Sequence, residues 1–178
     1  MVEFKDLGLS STLKALDKKG YTSATEIQEK TIPLLLEGKD VIGESQTGSG
    51  KTAAFALPII EKISGDKKVQ AIVLCPTREL ALQVSKEFEA LCGTKRVFTL
   101  AVYGGTSIND QVRQLRRGVQ VIVGTPGRTL DLIKRKVLDL SHVKFAVLDE
   151  ADEMLNMGFI EDIETILKRT PETKRMLL

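Results

Sequence analysis

Short runs of apolar residues alternate along the chain with longer segments whose apolar positions recur at helical spacing. Most runs are rich in β-branched residues and read as near-continuously apolar, which is typical of strands covered on both faces. The runs are Asp40–Gly43, Ala71–Leu74, Thr99–Val102, Val119–Val123, Phe145–Leu148 and Met176–Leu178. This alternation predicts an α/β fold with a mostly parallel β-sheet and helices on both faces.

The segments between the runs supply the helices. Apolar residues at mixed three- and four-residue steps predict an amphipathic helix from Ala81 to Leu91. Two further helices precede the first run, and we expect Pro33 to interrupt the second of them. The residues that we predict to cap or stop these two helices are Ser10 or Ser11, Gly20, Thr25 and Gly38.

Composition limits the class of protein. The chain has 178 residues, 42% of them hydrophobic and 4% aromatic, which predicts one domain with an aliphatic core. Its 26 Lys and Arg against 24 Asp and Glu give a net charge of +2, so any nucleic-acid surface must be local. Cys75 and Cys92 lack partners at metal-ligand spacing, which favours a reduced, cytoplasmic setting. Neither a signal peptide nor a membrane-spanning run is evident, so we expect no membrane association.

A glycine-rich stretch, residues 43–52, is the most specific chemical signal. It reads Gly-Glu-Ser-Gln-Thr-Gly-Ser-Gly-Lys-Thr and leads into an alanine-rich helix start. Gly48 and Gly50 allow successive N–H groups to face a phosphate, and the helix N-terminus adds partial positive charge. Lys51 can then reach the terminal phosphates, and the Thr52 hydroxyl can ligate Mg²⁺. The stretch therefore predicts a phosphate-binding loop; a glycine-rich surface loop is the alternative.

Two adjacent carboxylates, Asp149 and Glu150, follow the apolar run that ends at Leu148. A phosphate-binding loop needs an acidic partner for its metal at the end of another strand, and Asp149 fits that position. Glu150 fits the residue that orients the attacking water. The alternative is an acidic connection in which Asp152 or Glu153 only caps the next helix.

Taken together, these segments resemble the DEAD-box ATP-dependent RNA helicases. Six motifs occur in the family's order, which are Gly20–Gln28 with Phe4 upstream, Ser45–Thr52, Pro76–Ala81, Gly104–Gly105, Thr125–Arg128 and Asp149–Asp152. Residues 24–26 read Ala-Thr-Glu where the family has Pro-Thr-Pro, and Ser45 replaces its usual alanine. The resemblance implies a RecA-like P-loop NTPase domain.

The resemblance also implies that ATP and Mg²⁺ are the cofactors. The implied catalytic residues, which would act on the phosphates, are Lys51, Asp149 and Glu150. The metal would be held by Thr52 and Asp149, partly through water, and Asp152 would couple this site to the other motifs. The implied nucleotide-binding residues are Tyr21, Gln28, Gln46, Thr47, Gly48, Ser49, Gly50, Lys51 and Thr52. A second interpretation applies to Gln28, because Thr25-x-x-Gln28 is also a capping box.

RNA is the partner that the resemblance implies. Its predicted contacts are Pro76, Thr77, Arg78, Gly104, Gly105, Thr125, Pro126, Gly127 and Arg128. Two helix N-termini and a Gly-Gly turn on one edge would present backbone N–H groups to phosphates and 2′-hydroxyls. We therefore expect sequence-independent binding, and the alternative for Arg78 is an ion pair with a carboxylate.

The family's domain organisation implies that this chain is the N-terminal half of a two-domain helicase. Residues 1–38 would form a helical adenine-recognition region and residues 39–178 the P-loop core, with a second RecA-like domain outside the chain. We expect the chain alone to hydrolyse ATP weakly. Two other hypotheses are a non-catalytic, nucleotide-gated protein-interaction domain and a GTPase, although no Asn-Lys-x-Asp guanine signature occurs.

Overall fold

One five-stranded sheet with helices packed on both faces forms the framework, in a computed structural model that describes all 178 residues. The strands are β1 (Ala71–Leu74), β2 (Thr99–Val102), β3 (Val121–Gly124), β4 (Phe145–Leu148) and β5 (Arg175–Leu177). The helices are α1 (Leu13–Lys18), α2 (Glu26–Leu36), α3 (Lys51–Lys62), α4 (Arg78–Cys92), α5 (Ile108–Arg117), α6 (Pro126–Lys134), α7 (Ala151–Asn156) and α8 (Ile160–Lys168). A 3₁₀ turn at Phe4–Leu7 precedes them.

The sheet order is β2-β3-β1-β4-β5, and every pairing is parallel. The prediction of a mostly parallel sheet with helices on both faces is confirmed. All carboxyl ends of the strands therefore lie at one edge of the sheet, and all amino ends lie at the other.

One predicted strand is absent. Asp40–Gly43 forms only a single parallel bridge, between Val41 and Leu177, so that prediction was wrong. The N–H of Gly43 still donates to the carbonyl of Leu178, at 2.9 Å, which keeps the segment alongside β5. The phosphate loop therefore follows an extended edge segment rather than a strand.

Alternate residues of each central strand enter different cores, because successive side chains of a strand point to opposite faces. Val73 and Val147 belong to the core beneath α2, α3 and α4, whereas Ile72 and Leu148 belong to the core with α6 and α8. The near-continuous apolar pattern in the sequence reflects this double burial. Cys75 and Cys92 are free and buried, as expected of small apolar residues.

Two expectations for the upstream helices were wrong. Helix α2 runs through Pro33 without a break, since its buried face packs against α3. Thr12, rather than Ser10 or Ser11, stands at the N-cap of α1, and its side chain makes no cap bond there. The stops at Gly20 and Gly38 are confirmed, because both have the positive φ of a helix end.

Candidate functional site

The phosphate loop closes on itself through its own side chains. Lys51 Nζ donates to the carbonyl oxygen of Ser45 at 3.1 Å, and the hydroxyls of Ser45 and Ser49 lie 2.7 Å apart. Gly48 and Gly50 have φ angles of 80° and 86°, which glycine adopts without strain. The Ser45 that departs from the motif thus joins the two arms of the loop.

The carboxylates of Asp149 and Glu150 stand at the carboxyl end of β4. Burial raises the pKa of Asp149, although the positive charge of Lys51 acts in the opposite direction. A hydrogen bond with Glu153, then burial and the charge of Asp149, raise the pKa of Glu150. Glu150 also has a left-handed backbone, with φ 55° and ψ 52°. Negative charge is therefore concentrated here in a geometry that added positive charge would stabilise.

The loop and the carboxylates line one cavity of about 620 Å³, so the sequence correctly brought Lys51 and the Asp149-Glu150 pair together. Asp152 lines it too. Its wall combines residues of the loop, of α2 and α3, of β4 and of the end of the chain. The lining residues are Ile27, Thr31, 42–47, Lys51, Ala54, Phe55, 147–153, Leu177 and Leu178. Gly48, Ser49, Gly50 and Thr52 do not line the cavity.

The predicted adenine-binding residues also lie outside the cavity lining. Gln28 is 4% exposed, and its side-chain oxygen accepts from the N–H of Thr25 at 3.0 Å, as the capping-box alternative predicted. Its amide nitrogen donates to the carbonyl of Gly50 at 3.1 Å, a contact that sequence did not predict. The ring of Tyr21 is exposed, with Lys19 Nζ 5.2 Å from its centroid.

The predicted RNA-contact segments all lie at the carboxyl edge, because they follow the neighbouring strands β1, β2 and β3. Thr77 caps α4 by accepting from the N–H of Leu80 at 3.2 Å. Arg78 lies 4.8 Å from the centroid of Tyr103 and forms no ion pair, so its carboxylate alternative was wrong.

The second predicted RNA cation, Arg128, is held by the loop after β2 and by helix α5. It donates to the side-chain oxygen of Gln111 at 3.0 Å and to the carbonyl of Thr106 at 3.1 Å. Gln111 is 5% exposed and donates in turn to the carbonyl of Tyr103. Pro76 and Pro126 are buried, whereas Gly104, Gly105 and Gly127 are exposed. The edge therefore presents exposed backbone beside two fixed guanidinium groups.

Sequence reasoning missed two residues that position these groups, Tyr103 and Gln111. It also did not predict the influence of Glu153 on the pKa of Glu150 or the Gly50 carbonyl as an acceptor. Tyr103 directly precedes the Gly104–Gly105 turn, which was the available signal. Helix α7 has no side-chain cap, so Asp152 and Glu153 do not play the capping role considered for them.

Metal-binding and membrane features are limited. No three His, Cys, Asp or Glu side chains are grouped so that they could hold a metal. No helix is both long enough and apolar enough to span a membrane.

Comparison with known proteins places these features in one family. The DEAD/DEAH box helicase family matches residues 25–178. The chain is 57% identical to the ATP-dependent RNA helicase CshA of Listeria monocytogenes and 55% identical to that of Geobacillus kaustophilus. Each match covers 100% of this chain but only 35% and 38% of those relatives.

The fold comparison agrees. The crystal structure of a DEAD box protein from the hyperthermophile Methanococcus jannaschii superposes with a TM-score of 0.95 at 47% identity, covering 100% of this chain and 49% of that one. Family match, identity and fold lead to one conclusion: this chain belongs to the DEAD/DEAH box helicase family.

Proposed function

We propose that the chain is the N-terminal RecA-like domain of an ATP-dependent RNA helicase, and that it binds ATP with Mg²⁺ and the RNA backbone. The observation that carries this proposal is the shared cavity of Lys51 and the Asp149-Glu150 pair. The relatives are named ATP-dependent RNA helicases, and the chain spans little more than a third of their length. A second RecA-like domain, supplied by the remainder of the protein, would complete the enzyme.

The geometry supports specific roles on the phosphates. Lys51 would exchange the Ser45 carbonyl for the terminal phosphates, since both are oxygen acceptors within its reach. The loop N–H groups and the N-terminus of α3 would bind the remaining phosphate oxygens. Glu150 would hold and orient the attacking water. Asp152 would link the site to the other motifs.

A magnesium ion fits the oxygen donors of this site. Burial disfavours the charged form of Asp149, and a divalent cation would offset that effect. Mg²⁺ is usually held by one or two carboxylates together with waters and substrate phosphates, which agrees with the lack of a larger ligand cluster. Asp149 would hold the ion through water, and Thr52 would approach it once phosphate is bound. The ion would supply charge neutralisation on the phosphates.

The upstream region would read the base. Residues 1–38 would form an adenine-recognition region attached to a P-loop core of residues 39–178, although both share one hydrophobic core. Gln28 would turn its amide from the capping box toward adenine, and Tyr21 would stack on the base. The turn of Gln28 would release its hydrogen bond to the Gly50 carbonyl, and this change would link base recognition to the phosphate loop.

The experiment is nucleotide binding to the 178-residue chain, measured with a fluorescent ATP analogue and Mg²⁺. Lys51→Ala is expected to weaken binding at least about tenfold, because hydrogen bonds to charged groups contribute roughly 1.5–3 kcal/mol. Lys14→Ala is the matched control, since Lys14 is exposed on α1 away from the cavity. Equal affinity of the two variants would contradict the proposal.

Hydrolysis tests the two-domain assignment. We expect the 178-residue chain to turn ATP over far more slowly than the whole protein with saturating RNA, because an arginine finger from elsewhere can contribute about 10³–10⁵ in rate. Turnover of about one per second by the chain alone would contradict a division of the site between two domains.

A further inference from the structure

A second positively charged surface lies at the amino edge of the sheet, opposite the proposed nucleotide and RNA site. All strands are parallel, so the residues that lead into them are gathered at this edge. Exposed cations precede or begin every strand. We call the set the basic edge; its members are Lys67, Lys68, Arg96, Arg116, Arg117, Lys144 and Arg175.

No cation of the basic edge forms a salt bridge with a carboxylate. Several nearby carboxylates are already engaged elsewhere: Glu37 pairs with Lys39 at 2.8 Å, Asp66 accepts from the Ser64 hydroxyl, Asp40 accepts from the N–H of Met176, and Asp139 accepts from the N–H of Ser141. These carboxylates keep their charge, except that Glu37 is offset by Lys39, but the seven cations outnumber the four of them. The surface therefore carries local positive charge although the whole chain has a net charge of only +2.

Direct contacts order these cations along the edge. Lys67 covers Gly118, where an added Cβ would lie 2.8 Å from the Cβ of Lys67. Lys68 Nζ lies 3.2 Å from His142 Nε2 on the way into β4. Lys144 and Arg175 line a depression of about 380 Å³ in front of β4 and β5. Neighbouring strands lie about 4.8 Å apart, so five strands make a row roughly 19 Å long.

The usual reason for cations at this edge explains only part of the row. Arg116 and Arg117 occupy the last turn of α5, where positive charge stabilises the helix dipole. Lys67, Lys68 and Lys144 lie in connections, outside any helix. The helix dipole therefore does not account for these three cations.

An exposed aromatic side chain specifies the kind of anion. Phe98 is 61% exposed, stands directly before β2, and has its backbone fixed by hydrogen bonds with Gln120. Single-stranded nucleic acid is bound by this combination of cations with an aromatic platform, because the cations meet phosphates and the ring stacks on a base. An acidic peptide would use the cations but would gain little from a ring for stacking.

Helix α5 connects the basic edge with the proposed RNA site. Near its start, Gln111 holds Arg128 at the carboxyl edge, and its end places Arg116 and Arg117 at the amino edge. The 10 residues of α5 span about 15 Å. A single strand that leaves the carboxyl edge can follow this helix.

We propose that the basic edge is a second binding surface for single-stranded RNA, with Phe98 stacking on a base and the cations neutralising phosphates. The proposal rests on the RNA-binding function proposed above. It predicts that an RNA long enough to extend past the carboxyl edge binds more tightly, and with a steeper salt dependence, than one that covers that edge alone.

The test uses the 178-residue chain and fluorescence anisotropy with polyuridine RNAs of about 6 and about 20 nucleotides. The first variant combines Lys67→Glu, Lys68→Glu and Lys144→Glu. Its control combines Lys14→Glu, Lys18→Glu and Lys86→Glu, which change net charge equally at exposed positions outside the basic edge. Three phosphate contacts contribute about 2 to the slope of log K against log salt. For the first variant, the slope of log K against log salt is expected to become shallower by about 2, and the affinity for the long RNA is expected to fall at least about tenfold.

Phe98→Ala tests recognition without changing charge. This variant is expected to bind the long RNA about tenfold more weakly, since stacking contributes roughly 1–3 kcal/mol per base. Unchanged binding by this variant, or equal losses in the charge variant and its control, would overturn the proposal. Poly-glutamate that competes as well as RNA of equal charge would assign the surface to acidic peptides instead.

Short RNA separates this proposal from the function on which it rests. Neither basic-edge variant should change affinity for the RNA of about 6 nucleotides, whereas Arg78→Glu should weaken both lengths. If Arg78→Glu did not weaken binding of either RNA, the result would count against the proposed function. If the long RNA bound no more tightly than the short one, the result would count against the basic edge alone.

Discussion

Glu61 offers a sharp test of how the upstream region is fastened to the helix that carries the phosphate loop. Its carboxylate, near the end of α3, accepts from the N–H groups of Ser10 and Thr12 at 2.9 and 3.0 Å and from the Thr12 hydroxyl at 2.8 Å. Ser11 adds a longer contact. Glu61→Gln replaces one acceptor oxygen by an NH₂ group, which would then face these donors.

The magnitude follows from those bonds. Net contributions are about 0.5–1.5 kcal/mol per hydrogen bond and more to a charged acceptor, but solvent around this half-buried carboxylate reduces them. We expect Glu61→Gln to lower the free energy of unfolding by about 2 kcal/mol at pH 7. For a domain of this size that corresponds to a fall in Tm of about 4–8 °C.

The effect depends on pH with a defined sign. Burial would raise the pKa of Glu61, but the hydrogen bonds from Ser10, Thr12 and Ser11 outweigh it and hold the pKa below its usual value of 4.5. A carboxyl with a lowered pKa in the folded state stabilises above its unfolded pKa, and that contribution is lost as pH falls through the folded value. The difference between wild type and Glu61→Gln should therefore be full at pH 7 and shrink below about pH 4.5.

Urea unfolding of both proteins at pH 7 and pH 3.5 measures this difference. Glu164→Gln is the matched control, because Glu164 is exposed on α8 and makes no side-chain hydrogen bond or salt bridge. It should change stability by less than about 0.5 kcal/mol. A Glu61→Gln effect that is absent at pH 7, or equal at both pH values, would refute the reasoning.

Three further predictions concern the site. Gln28→Ala should lower the free energy of unfolding by about 1–2 kcal/mol, because two hydrogen bonds are lost, and should also reduce the preference for ATP over GTP. A loss of stability with unchanged nucleotide selectivity would leave Gln28 only a capping role. Tyr103→Leu should weaken RNA binding two- to fivefold, because the ring face that holds Arg78 contributes about 0.5–1 kcal/mol, whereas Tyr103→Phe keeps the ring and should not. Equal RNA affinities of the two variants in anisotropy titrations would contradict this. Gly124→Ala should lower the free energy of unfolding by about 1–3 kcal/mol in a urea titration because its methyl group would overlap packed side chains, whereas Gly127→Ala, with open space around it, should not.

The sequence predicted the central strands well because their side chains are buried on both faces. Ile72 and Val73 enter opposite cores, so an uninterrupted apolar run had a single structural meaning there. The run Asp40–Gly43 looked the same in sequence but lies outside β5, where Ile42 is 84% exposed. Its pairing depends on the register of the end of the chain, which apolar pattern does not encode. Pro33 was likewise misjudged because packing of α2 on α3 overrides local propensity.

For the candidate site, topology was predictable and side-chain contacts were not. Lys51 and Asp149 could be brought together because both follow extended segments that end at the same edge of a parallel sheet. The contact of Arg78 with Tyr103 joins loops after two different strands, and no spacing rule fixes such a distance. Gln28 makes two hydrogen bonds. The bond to Thr25 belongs to a local capping motif that the sequence shows, whereas the bond to Gly50 is a tertiary contact that the sequence does not show.

Helix α3 links these observations, because side chains from other elements fasten both of its ends. At its start, Gln28 binds the carbonyl of Gly50; at its end, Lys95 donates to the carbonyls of Ile60 and Glu61. The carboxylate of Glu61 holds the segment before α1, so the upstream region contacts α3 at both ends. A shift of Lys51 upon phosphate binding must therefore be absorbed within the loop, or it must move the upstream helices with α3. In the second case the base and phosphate contacts proposed for this domain are mechanically coupled, and Glu61→Gln should weaken nucleotide binding as well as stability. Unchanged nucleotide affinity would show that the loop absorbs the shift.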